Sequence, residues 1–468
     1  MKAKPELVLP AGDLHRAKIA FAYGADAVYV GLDKYSLRKA EVRFTVPQIK
    51  KAVEYAHSAG KKVYVTFNVF AHNKHLKSLG KDMKTIGKFG PDAFIISDPG
   101  VVAIAQKIAP KIPIHLSTQA NTVNVASVKF WLGQGVKRIV LARELSLSEV
   151  AEINKAVPKM ELEIFVHGAM CISYSGRCLL SAAMTGRSAN LGQCAQPCRW
   201  QYKLRSDHPP AGRAGRPVIR DQEESFCRPE LACSESIESI SGSREIPDPW
   251  PTRACCSGRQ VRNDRYYLEE AKRPGEYYPI EEDGKGTYVM NSKDLCMIEH
   301  LDKIMAAGVT GLKIEGRNKT DFYVATVART YKRALALVAS RKYQASNKRE
   351  LKKELENLTH RDYTTGFLFG DAKNGETFKS REPITGKKYL GFVEKKSDDI
   401  YQIIVKNKLE LGKKYELLTL DQIISFKITE MQDKTRKSIV VANPGRKNEK
   451  ILVKTDQGLF SGSFIREL

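Results

Sequence analysis

The sequence predicts an α/β protein, a TIM-barrel-like (β/α)8 domain followed by a small C-terminal all-β domain, on three observations. Short β-branched runs alternate with stretches of helical period through the first third of the chain, the pattern of parallel strands joined by helical crossovers. With one late addition the runs number eight, the count that closes such a barrel. From about Lys379 onward the texture changes to short alternating strands separated by Gly, Asn and Lys turns, which suits a small β-barrel or sandwich. An open doubly wound sheet is the competing arrangement for the first part.

Taken in order, the strand candidates are residues 7–9, 27–30, 62–67, 93–97, 113–116, 138–141 and 162–166, mostly Val, Ile, Leu and Ala, as suits strands covered on both faces. The eighth, 312–314, comes only after a long excursion. Residues 46–59 and 149–156 carry apolar side chains at helical spacing, 319–340 reads as a long helix and 349–358 as a second, charged one. Every barrel strand points its carboxyl end at one rim, where loops build the site. That rim would carry Gly12, Gly31, Asn68, Asp98, Gln119, Arg143, His167, Glu315 and Arg317. In an open sheet the same polar residues would be strand caps.

Residues 205–265 break the pattern, with ten arginines, no lysine and seven prolines, and read as a surface insertion. The expected organisation is therefore a barrel domain over 1–340 with an atypical insertion at 205–265, a helical linker over 341–378, and a C-terminal β domain over 379–468. The last carries 19 Lys+Arg against 12 Asp+Glu, a net +7. A solvated basic face explains that run as well as a ligand does.

Over all 468 residues, 77 Lys+Arg against 53 Asp+Glu leave +24, which points to a polyanionic partner, nucleic acid before an anionic membrane surface. Mean hydropathy of −0.37 and the lack of any run near the ~18 apolar residues of a spanning helix argue against a membrane protein. No apolar leader precedes the first strand, so a cytoplasmic location is expected.

Four of nine cysteines fall within 28 residues, in Cys171-Ile-Ser-Tyr-Ser-Gly-Arg-Cys178 and Gly192-Gln-Cys194-Ala-Gln-Pro-Cys198. In a reducing compartment such a cluster reads as metal ligation rather than disulfides. Thiolates suit an iron–sulfur cluster or a structural zinc, and the uneven spacing favours iron–sulfur, with four thiolates the set for [4Fe-4S], over the paired Cys-x2–4-Cys of zinc sites. Cys227, Cys233, Cys255 and Cys256 lie in the insertion and are treated as incidental. Cys296 is either a substitute for Cys198 as fourth ligand or a core thiol beside Leu295 and Met297.

At this point the residues carry a resemblance. Glu163-Ile-Phe-Val-His-Gly-Ala-Met-Cys171 through Cys178-Leu-Leu-Ser181 resembles the signature of the peptidase U32, or collagenase-like protease, family. Pro10-Ala-Gly12, Gly24-Ala-Asp-Ala-Val-Tyr29, Ser117-Thr-Gln-Ala-Asn121, Arg273-Pro-Gly-Glu-Tyr277, Asn291-Ser-Lys-Asp-Leu295 and Lys313-Ile-Glu-Gly-Arg317 match it in order. Within the family, Tyr35-Ser-Leu-Arg38, Val128-Lys-Phe-Trp131 and Arg143-Glu-Leu-Ser-Leu147 are similar to the branch of prephenate-dependent tRNA uridine hydroxylases, which make 5-hydroxyuridine at the wobble position. The resemblance implies a barrel-like catalytic domain, a C-terminal β domain, a cluster on Cys171, Cys178 and Cys194 with Cys198 fourth, and tRNA and prephenate as partners. The insertion departs from the family pattern.

A dianionic acid such as prephenate, or a similar dicarboxylate, needs paired cations, and Arg143, Arg317 and Lys313 sit near predicted strand ends. A salt bridge with Glu144 or Glu315 is the plain alternative for each. His167 is a candidate acid–base group or a hydrogen-bonding barrel histidine. Glu315 joins the candidate catalytic set with His167, Arg143 and Arg317; Asn68, Asp98 and Gln119 are candidates to position substrate beside Lys313. Two other functions compete. A peptidase needs an activated nucleophile or metal-bound water, and neither a Gly-x-Ser-x-Gly elbow nor a His-Glu-x-x-His helix is present. A non-catalytic RNA-binding protein with a structural metal would need no rim chemistry.

Overall fold

In the computed structural model, residues 4–32, 34, 35, 44–171, 173, 292–370, 384–397, 399–445 and 450–468 are described, with the backbone of three strands between 266 and 288. The readings made above for the insertion and for Cys178, Cys194 and Cys198 lie outside these residues.

Eight parallel strands close on one another. In chain order they are β1 (Glu6–Pro10), β2 (Ala27–Gly31), β3 (Lys62–Phe67), β4 (Ala93–Ile96), β5 (Ile114–Leu116), β6 (Arg138–Val140), β7 (Glu161–Ala169) and, after four further strands, β12 (Gly311–Ile314). Each pairs with the next, and β12 closes the ring between β7 and β1, with Lys313 opposite both Phe165 and Val8. The expectation of a (β/α)8 barrel holds, and the open sheet is excluded by that closure.

Helices follow the strands: α1 (Leu14–Ala22), α2 (Val46–Ser58), α3 (Asn73–Gly87), α4 (Pro99–Ile108), α5 (Val125–Gly133), α6 (Leu147–Ala156), α7 (Leu301–Ala306) and α8 (Asp321–Ala339), then α9 (Ala345–Glu356). Their starts are written in the sequence. Asp13, Thr45, Asp98, Asn124, Ser146 and Thr320 each accept a backbone N–H of the first turn. The Ser146/Glu149 capping box explains why α6 begins at Leu147, two residues before the expected start.

Strand alternation divides the packing. Leu7, Leu9, Val28, Val30, Val63 and Val65 join the core beneath the helices, whereas Val8, Ala27, Tyr29, Tyr64, Ala93 and Ile95 form a separate cluster inside the barrel. Beyond the rim, β11 (Asp294–Cys296) pairs antiparallel with the end of β7, and β13 (Tyr363–Thr364) adds to β11. This second partnership explains why β7 outruns its expected length.

The C-terminal domain is a closed barrel of six strands, β14 (Tyr389–Ser397), β15 (Ile400–Val405), β17 (Lys414–Leu418), β18 (Ile423–Gln432), β20 (Lys450–Thr455) and β21 (Phe464–Arg466), so the barrel alternative was the right one over the sandwich. A separate short pairing joins β16 (Leu409–Glu410) to β19 (Val441–Ala442). The C-terminal barrel has its own core around Val393, Ile403, Leu417 and Ile451, and the two barrels meet across an apolar seam. Phe464 packs on Tyr23, Phe322, Tyr389 and Phe392, and the Tyr23 hydroxyl donates to the carbonyls of Leu418 and Gly462, both at 3.0 Å. Arg466 forks onto Glu354 at 2.7 and 3.2 Å and reaches Glu416 at 2.7 Å. A separate unit, residues 199–289, contains a three-stranded antiparallel sheet of β8 (Tyr266–Glu269), β9 (Tyr277–Glu282) and β10 (Thr287–Tyr288).

Candidate functional site at the barrel rim

The inner wall holds an ion-pair chain that the sequence reading missed. Glu163, fully buried on β7, accepts from Lys313 Nζ at 2.7 Å and from Arg138 at 3.1 Å. Arg138 also meets Glu6 at 2.6 Å and Glu161 at 2.7 Å, and Tyr64 hydrogen-bonds Glu6. Burial opposes the Glu163 charge, but Lys313 and Arg138 outweigh it and hold the carboxyl below its ordinary range. The signal was present: Glu161 and Glu163 alternate with Leu162 and Ile164 in a strand that should be apolar throughout. Lys313 therefore lies within the barrel wall rather than at the rim, and its partner is Glu163, not Glu144 or Glu315.

Phe165, one step further along β7, carries cations on both sides. The Arg143 guanidinium stacks 4.0 Å from its centroid, and Lys313 Nζ lies 5.8 Å from it and 4.6 Å from the Tyr29 ring. Arg143 also donates to the Ala169 carbonyl at 3.2 Å, which holds it two residues from Cys171, a half-buried free thiol. Phe165 was not singled out from sequence because an aromatic residue in a strand looks like any core residue.

A second group spans β3 to β5. Gln119 Oε1 accepts from Ser97 at 3.0 Å and from Ser117, while Ser97 Oγ also lies 3.1 Å from the Asn68 carbonyl. Asn68 and Gln119 are thus joined through one serine. Asp98 spends its carboxylate on the Val101 amide at 3.1 Å, as the cap of α4. The third group follows β12. Glu315 and Arg317 are both buried, and Arg317 Nη2 approaches the Gly31 carbonyl at 3.5 Å. Gly168, at φ +101°, lies so close that a β-carbon there would strike the Glu315 carbonyl.

His167 belongs behind this wall. Its ring is enclosed by Tyr323, Tyr331 and Tyr363 at centroid distances of 6.0, 5.6 and 5.7 Å. Burial, with help from Lys319 and His360, drives its pKa down to about 3, so the imidazole is neutral at physiological pH. Cys296 pairs with His167 across β11 and β7 and lies in the apolar core, where burial pushes the thiol up to about 12. It has the surroundings of a core thiol.

A polar rim of this kind on a (β/α)8 barrel, joined to a small β-barrel, defines the class. The peptidase family U32 model matches residues 12–377 and the U32 C-terminal domain model matches 386–466, so the chain belongs to the peptidase U32 family. Among its relatives is tRNA hydroxylation protein P of Escherichia coli (strain K12), 39% identical over 94% of this chain and 92% of that protein. The protein of the same name from Haemophilus influenzae is 40% identical over 94% of this chain and 91% of its own length. The 23S rRNA 5-hydroxycytidine C2501 synthase of Escherichia coli is 39% identical over 43% of this chain and 30% of that protein.

Proposed function

We propose that this chain hydroxylates RNA, specifically the wobble uridine of tRNA to 5-hydroxyuridine, with prephenate as a required metabolite and an iron–sulfur cluster at the rim. The observation that carries the reading is likeness at about 40% identity, through both domains, to proteins named for tRNA hydroxylation. The +24 charge agrees with a polyanionic substrate.

The cluster would sit on Cys171, Cys178, Cys194 and Cys198. The one of these whose surroundings are described, Cys171, fits: it is a half-buried thiol just beyond the end of β7, at the rim. Bound there, a cluster supplies a redox-active or Lewis-acidic iron centre at the rim. The chain's own residues do the rest. Arg143, fixed by Phe165 and the Ala169 carbonyl, offers its outer N–H groups to one carboxylate of the small acid, and Arg317 serves the other. Lys313 and Glu163 hold the Phe165 shelf from below. Gln119, with Oε1 taken by two serines, turns its amide donors to substrate, and the Asn68 side chain assists. Glu315 takes the proton-holding role, while neutral His167 packs among Tyr323, Tyr331 and Tyr363. Asp98 acts through the start of α4.

Two measurements test this. Nucleosides from tRNA of cells lacking the gene should have lost wobble hydroxyuridine, and the anaerobically purified protein should be coloured and contain iron. Cys171→Ser and Cys178→Ser should lose colour and modification together. A colourless, zinc-loaded protein with unchanged tRNA would refute the reading. A thiol–imidazole peptidase pair is disfavoured by the enclosure of His167 among three tyrosines.

A further inference from the structure

Outside the barrel mouth, a cleft of about 570 Å³ opens between α1, α2, the start of α8 and strands β14 and β15 of the C-terminal domain. Its wall combines cations with aromatic surface. Lys18 and Lys406 are exposed, and among the described residues neither meets a carboxylate within ion-pair distance. Lys18 Nζ lies 5.0 Å from the ring of half-exposed Tyr55, and Phe21 backs that ring at 6.3 Å. Phe392 supplies a second ring, with His15 edge-on at 5.6 Å.

The two carboxylates in the cleft are already engaged. Glu394 is held by Lys450 at 2.7 and 2.9 Å. Asp321 accepts the Phe322 amide at 2.9 Å and lies 3.7 Å from His15 Nε2. Outside those ion pairs the cleft presents Lys18 beside the exposed Tyr55 ring and Lys406 on the wall of the C-terminal domain, the combination that binds a single nucleic-acid strand by backbone charge and base stacking. A neutral metabolite would not use the lysines, and an acidic peptide would not use the ring. Position agrees. In a (β/α)8 barrel the first turn of each helix lies at the rim, so His15 and Asp321 mark the rim end of the cleft. Lys18, one turn along α1, leads away from it toward the β domain.

We propose that this cleft between the two barrels binds an extended, single-stranded segment of the RNA substrate, with Lys18 and Lys406 on phosphates and Tyr55 stacked on a base. The proposal rests on the RNA-modifying reading above and gives the C-terminal barrel a task in it: one wall of the RNA track belongs to each barrel. The track holds substrate and takes no part in the chemistry.

The test uses the full-length holoprotein and unmodified tRNA, with affinity measured by anisotropy or filter binding across a salt series. Lys18→Ala/Lys406→Ala should weaken binding roughly tenfold at about 0.1 M salt and lower the slope of log affinity against log salt by about 2. Tyr55→Ala should weaken binding about fivefold or more with the slope unchanged. The turnover of bound tRNA in single-turnover assays should match that of the unsubstituted protein in both. Lys107→Ala/Lys159→Ala removes the same two charges from exposed sites on other faces and should change affinity by less than about twofold. Equal losses in both double variants would reduce the effect to bulk charge and overturn the proposal, as would unchanged affinity and slope in the cleft variant. A protein that binds and modifies tRNA normally in every variant refutes the cleft alone. One that fails to bind tRNA even unsubstituted refutes the RNA reading, and the cleft with it.

Discussion

Replacing Glu163 by Gln perturbs the barrel wall most directly. The side chain keeps its shape, but the charge shared by Lys313 at 2.7 Å and Arg138 at 3.1 Å disappears. Arg138 retains Glu6 and Glu161, whereas Lys313, 4% exposed, loses its one ion-pair partner among the described residues. Removing one partner of a buried pair costs about 3–5 kcal/mol, because the remaining charge is left without solvent or counterion. Glu163→Gln should therefore lower unfolding free energy by about that amount in urea titrations followed by Trp131 fluorescence and circular dichroism. Adding Lys313→Met should recover about 1–3 kcal/mol, since the stranded ammonium goes too. The pH dependence has a definite sign. A carboxyl held below its ordinary value stabilises the fold fully above that value and loses the contribution as pH falls through the lowered one, so the Gln variant should be less acid-sensitive than its parent. A cost under about 1 kcal/mol, or a double variant weaker than the single one, would show that the pair is solvated and the electrostatic account wrong.

Other outcomes follow from the same geometry. Gly168→Ala places a methyl on the Glu315 carbonyl at φ +101°, so folding should be impaired by about 2 kcal/mol or more in thermal melts; a neutral result would mean that the β7–β12 seam shifts freely. Arg466→Leu strands Glu354 where α9 meets the β domain, while Glu416 keeps Lys387 at 3.0 Å. It should destabilise by about 3–5 kcal/mol and speed proteolysis between the domains. His167 is held neutral down to about pH 3, so its unfolded form takes a proton first as pH drops below 6.5. Stability should decline by up to about 1.4 kcal/mol per pH unit across that window, and His167→Gln should flatten this part of the curve. Arg143→Met keeps the stack on Phe165 but removes the anion-binding fork. Hydroxylation should fall on the order of a hundredfold at limiting prephenate with tRNA affinity unchanged; loss of tRNA binding instead would reassign Arg143 to the RNA.

How far the sequence reached depends on whether a feature is local. The barrel strands, the helices over 46–59 and 319–340 and the change of texture near Lys379 arise from neighbouring residues and were legible, whereas Asp98 showed itself as a helix cap only in the folded chain. Closure of the ring was legible as a count. Its proof, the pairing of β12 with both β7 and β1, joins residues about 150 and 300 positions apart and exists only in the folded chain. The polar residues expected at the rim could be listed from sequence, yet only tertiary structure distributed them. Arg143 came to rest on Phe165, Asp98 was consumed by a helix, His167 passed behind the wall among three tyrosines, and Lys313 was drawn inside to Glu163. The reason is physical. A residue type sets what a side chain can bind, whereas which partner it meets, and how much water stands between them, is decided by burial and by strands distant in sequence. The sequence by itself thus determined the fold class, the family and the chemical inventory of this protein. The tertiary structure decided which of those groups line the rim and which hold the barrel together, and it made the cleft between the two barrels, which no motif announces.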